Sequence, residues 1–68
     1  MVRALAGFPI TVLVLLALEK KPASQAYIRR HTGFSEHTVQ DSVELLADYG
    51  MITQVGRYTW QIADARLR

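Results

Sequence analysis

The sequence contains no cysteine. That absence removes disulfide staples, thiol nucleophiles and thiolate zinc ligands, and it suits a reducing compartment, so the cytoplasm is the expected setting. A membrane-spanning run is missing too: a bilayer takes about 20 apolar helical residues, whereas the stretch from Phe8 to Leu18 is shorter and is interrupted by Pro9. Led by Arg3, that stretch has the outline of a secretory signal. Removing it would leave too few apolar residues to close a core, so it is read as part of the fold. Lysine and arginine are absent between residues 35 and 49, where Glu36, Asp41, Glu44 and Asp48 occur. Residues 20 to 34 show the reverse, with Lys20, Lys21, Arg29 and Arg30 and no acid. The net charge of +2 is too small to name a partner, but its uneven distribution is informative.

Catalytic patterns are also missing. His31 and His37 have no acid or thiol set at ligand spacing, so no metal is expected. No nucleophile, base and orienting group are spaced to converge on a pocket. Neither an enzymatic activity, a cofactor nor a small-molecule ligand is expected.

What is present is one small domain spanning 1–68, half of it hydrophobic, as a folded chain requires. A chain this short is marginally stable by itself, which makes association with a partner or a second copy an expectation. Pro9 suits the first turn of a helix running from about Ile10 to Glu19, stopped by Lys20, Lys21 and Pro22. Ala23 and Ser24 offer an N-cap for a short second helix carrying Ala26, Tyr27 and Ile28 and ending near His31. Gly33 breaks the chain and Ser35 caps a third helix, in which Val39, Val43, Leu46 and Tyr49 recur at helical spacing. Gly50 closes it. The period then changes to two: Ile52, Gln54, Tyr58, Trp60 and Ile62 share one face of a β-hairpin turning at Val55, Gly56 and Arg57. On this spacing Tyr58 and Trp60 are expected in the core. Residues 1–8 are expected as an N-terminal arm and 64–68 as a tail. The fold class is mainly α with a small β-hairpin.

The stretch "SQAYIRRHTGFSEHTVQDSVELLADYGMI" resembles the winged helix-turn-helix family, and the resemblance covers about Pro9 to Ala63. It rests on Thr32, Gly33, Phe34 and Ser35 at the turn, Thr38 and Val39, the paired Leu45 and Leu46, and Gly50, Met51 and Ile52. "RYTWQIA" after Gly56 is similar to the family's returning wing strand. The resemblance implies a three-helix bundle plus two-stranded wing, and binding to double-stranded DNA with the third helix in the major groove.

With the buried stripe set aside, Glu36, His37, Gln40, Asp41 and Glu44 face outward, with Ser35 and Thr38 at the leading edge. Gln40 suits adenine, His37 and Thr38 suit bases or phosphates, and a carboxylate such as Asp41 or Glu44 accepts from the cytosine amino group. Acids match a polyanion poorly, so attraction must come from Arg29, Arg30 and the wing-tip Arg57, which are expected to hold phosphates.

Helix one is apolar all round, which one small domain cannot fully bury. Val12, Leu13, Val14 and Ala17 are therefore expected at an interface with a second copy or a protein partner. The leading expectation is a small sequence-specific transcriptional regulator acting as a dimer. The alternative is a protein-interaction or assembly module, because an acidic third helix on this fold does not by itself mean DNA binding.

Overall fold

The computed structural model describes residues 7–63. The expected arm lies outside the described residues up to residue 6, and Phe8 opens the first helix; the expected tail, 64–68, lies wholly outside them. The order is α1 (Phe8–Glu19), β1 (Ala23–Ser24), α2 (Gln25–Thr32), α3 (Glu36–Asp48), β2 (Ile52–Gly56) and β3 (Thr59–Ile62). These form three helices and a three-stranded antiparallel sheet, an arrangement compatible with a winged-helix-like fold. Among the described residues no helix is long and apolar enough to cross a membrane.

Each helix stops where its sequence demands. Pro9 occupies the first turn of α1, where its missing N–H costs nothing. At the far end Lys20 takes a left-handed conformation (φ 58°), and its N–H donates to the Leu16 carbonyl at 3.2 Å. The Ser24 hydroxyl oxygen accepts from the Tyr27 N–H and that of Ser35 from the Thr38 N–H, each at 3.1 Å, so the orphan donors at the starts of α2 and α3 are satisfied. Gly50 (φ 76°) ends α3 in a Schellman motif: its N–H donates to Ala47 at 2.9 Å and the Met51 N–H to Leu46 at 3.0 Å.

The helices face one core. Val12 and Leu16 of α1, Ile28 of α2, and Val39, Val43 and Leu46 of α3 are fully buried, joined by Ala23, Ile52, Trp60 and Ile62 from the sheet. The spacing of Val39, Val43 and Leu46 is the single apolar stripe that periodicity predicts. Tyr49, placed in that stripe by spacing, is instead about half exposed, because it lies past the last turn of α3. Phe34, between α2 and α3, packs edge-on to Phe8 with ring centroids 4.8 Å apart, so the interhelical turn is pinned to the start of α1.

The sheet departs from a plain hairpin. Its strand order is β1-β3-β2, with Ala23 opposite Trp60, Ile52 opposite Ile62 and Gln54 opposite Trp60. The residues expected to cap α2 thus also form a short third strand, too brief to carry a periodic signal. A bulge between Gln54 and Gly56 moves the turn to Arg57 and Tyr58, and Gln54 Nε2 donates to the Arg57 carbonyl at 2.6 Å across it. Tyr58 is consequently at the corner and 60% exposed, not in the core, and Gln54 is exposed as well. Trp60, Ile52 and Ile62 keep the inward face.

Candidate functional site

The outward face of α3 begins at its cap. The Ser35 hydroxyl, besides accepting from the Thr38 backbone, donates to Thr38 Oγ1 at 3.0 Å, so both side chains are engaged in closing the helix start. Glu36, His37, Asp41, Glu44 and Asp48 are exposed. His37 Nε2 lies 3.1 Å from Asp41 Oδ2, one helical turn on. At this exposure the pair contributes little to stability, but it orders two neighbouring side chains.

Gln40 is different, being half-buried and held from both sides. The Trp60 indole N–H donates to Gln25 Oε1 at 2.8 Å, Gln25 Nε2 donates to Gln40 Oε1 at 3.0 Å, and Gln40 Nε2 donates to a Glu44 carboxylate oxygen. Trp60 and Gln25 are buried and Glu44 is exposed, so the chain runs from the core to the surface. Gln40, expected on the outward face of α3, is thus tied to the core, and Gln25, for which the sequence raises no expectation, is the buried link. Gln25 stands three positions before the fully buried Ile28, on the apolar side of α2, and that spacing was the available signal. A buried tryptophan also requires an acceptor for its N–H, which the sequence supplies here as glutamine.

The cations lie off α3. Arg29 and Arg30 are exposed in the last turn of α2, directly before the turn into α3, and Arg57 is exposed at the corner of the hairpin. Lys20 and Lys21, also exposed, line a shallow hollow with Leu16, Pro22, Gln61 and Ile62, beside β3. Among the described residues none of these five cations forms an ion pair. The Tyr27 hydroxyl donates to Glu19 Oε2 at 2.5 Å, joining α1 to α2. The hydrogen bond to Glu19, then burial, then the carboxylate's charge push the Tyr27 hydroxyl above its ordinary value of 10.0.

The expected interface on α1 needs correction. Val12 is fully buried in the protomer's own core, so it cannot meet a partner without unfolding the domain. Leu13 and Ala17 are half-buried and pack against that core. Of the residues named for this role only Val14 is exposed, at 49%; Leu18, not named for it, is 74% exposed. α1 satisfies most of its apolar surface by being wedged between α3 and β3, both of which pack on it.

No family model, curated protein or solved structure matches this chain.

Proposed function

We propose that this domain binds duplex DNA in the winged helix-turn-helix manner, with the exposed face of α3 from Glu36 to Glu44 in the major groove, the β2–β3 hairpin as the wing, and no chemical step. One observation carries the reading: Lys20, Lys21, Arg29, Arg30 and Arg57 are exposed and without an ion pair among the described residues, although α3 carries four carboxylates. Cations that a protein leaves without internal partners are available to an external anion, and a phosphate backbone is the anion that spaced, exposed arginines suit. In this arrangement Arg29, Arg30 and Arg57 position the domain on phosphates, while His37, Asp41 and Glu44 meet the base edges. Sequence-specific regulation of transcription is the role such a division of labour serves.

Titration of a labelled mixed-sequence duplex with the full chain at several salt concentrations tests the reading. Five phosphate contacts would give a slope of about −4.5 in log K against log salt, at about 0.9 per contact, and fewer contacts a proportionally smaller slope. Absence of salt-dependent binding overturns the reading.

The second reading, a protein-interaction module, is favoured by one observation of its own. Glu36, Asp41, Glu44 and Asp48 make the exposed face of α3 acidic, with no lysine or arginine on that helix. A basic protein segment is the partner such a face would take.

Dimerisation is not needed for the DNA reading. Among the described residues of α1 only Phe8, Val14 and Leu18 are large, apolar and well exposed. A stable dimer buries about 1,200–2,000 Å² in total, far more than these side chains supply.

A further inference from the structure

The chain Trp60–Gln25–Gln40–Glu44 has only one workable sense. An indole nitrogen donates and cannot accept, so Gln25 must turn its oxygen to Trp60 and its Nε2 to Gln40. Gln40 must then offer its oxygen inward and its Nε2 outward, and the ionised Glu44 at the end accepts and cannot donate. Both glutamine orientations, ordinarily free to flip, are thus dictated by groups that cannot flip.

The consequence falls on the outermost member. A lone surface glutamate samples many rotamers, whereas Glu44 is tethered by one carboxylate oxygen to an amide that is itself anchored in the core. The carboxylate has lone pairs left over and no proton to give. We propose, building on the DNA-binding reading above, that Glu44 is a base-reading acceptor selective for the N4 amine of cytosine, and that Gln25 and Gln40 are its positioning residues. Cytosine presents only a donor at that major-groove position; thymine presents O4 and guanine O6 and N7, all of which repel a carboxylate. Adenine offers an amine but places the N7 lone pairs beside it, so it is the poorer fit. Gln40, expected from sequence to read adenine itself, serves here as the strut between the core and the reader.

The first arm measures binding. Duplexes selected from a random pool by the full chain are re-measured with each cytosine of the preferred site changed to thymine. At one position the change weakens binding by roughly tenfold or more, the scale of a lost specific base contact. Glu44→Gln preserves size at an exposed position and replaces an obligate acceptor with a group that can either donate or accept. This variant binds random duplex more tightly, having lost a negative charge, and its cytosine-to-thymine ratio at that one position falls to near one. Charge removal alone would strengthen binding to all sequences equally and leave the ratio unchanged, which would overturn the role of Glu44. Salt-dependent binding by the parent chain with no cytosine preference at any position would overturn it too, while leaving the DNA reading intact. Failure of the parent chain to bind duplex at any salt overturns the DNA reading itself.

The second arm needs no DNA. At a pH that keeps the new side chain of Gln25→Glu ionised, its carboxylate can accept from Trp60 but cannot donate to Gln40, so Gln40 reverses and sends its oxygen against Glu44. Adding Glu44→Gln supplies a donor at position 44 and re-forms the chain in the opposite sense. Urea denaturation of Gln25→Glu, Glu44→Gln and the double variant should therefore find the double variant more stable than the sum of the two single changes gives. Changes that simply add would show that positions 25 and 44 are not coupled and would overturn the positioning role.

Discussion

The Tyr27 hydroxyl sits 2.5 Å from Glu19 Oε2 and ties the last turn of α1 to the first turns of α2. Because the bond requires the phenol proton, the folded protein holds that proton at a higher pH than the unfolded chain does. The contribution to stability is thus fully present below the ordinary tyrosine value of 10.0 and is lost as pH rises through the raised folded value. Ultraviolet titration of tyrosinate should show a high-pH component that Tyr27→Phe removes. The same component persisting in Tyr27→Phe would contradict the assignment.

Gln25 should be sensitive to substitution although it is polar. Gln25→Leu leaves the buried Trp60 N–H without its acceptor, and a buried unsatisfied donor costs about 1–3 kcal/mol. For a domain of this size the melting temperature should fall by about 4–8 °C for each kcal/mol lost. A melting temperature unchanged from the parent would mean that the chain carries no stability.

Gly50 is held at φ 76° at the end of α3, where a side chain is strained whether or not there is room for it. Gly50→Ala should cost about 1–2 kcal/mol, the usual penalty of a left-handed conformation for a residue with a Cβ. Chemical denaturation checks this, and a neutral effect would contradict the Schellman assignment.

The positions of these features show what the sequence carried. Caps and stops were legible because they depend on local chemistry: Ser24, Ser35 and Gly50 each perform the role their residue types favour. The stripe through Val39, Val43 and Leu46 was legible because helical period and burial coincide. Tyr58 misled because the turn falls at Arg57 and Tyr58, so Tyr58 stands at the corner before β3 begins, while Trp60 and Ile62 keep the inward face. Val12 misled for another reason. In a helix apolar on every side, periodicity cannot tell which line faces the core, and only tertiary packing selects Val12 and Leu16. The Trp60–Gln25–Gln40 contacts join residues up to 35 positions apart, so no local pattern announces them.

Self-association should be weak. Sedimentation of the full chain at micromolar concentration is expected to give a monomer, and Val14→Glu should leave duplex affinity within a few-fold of the parent. A dimer that Val14→Glu dissociates would restore α1 as an interface.

The most direct test of DNA binding compares the parent chain with Arg29→Ala/Arg30→Ala on one mixed-sequence duplex across a range of salt. If both arginines hold phosphates, the double variant binds every sequence more weakly, and its slope of log K against log salt is shallower by about 1.8, at about 0.9 per contact. Equal affinity and equal slope for the two proteins would contradict the phosphate-binding role of α2 and leave the acidic face of α3 as the surface to explain.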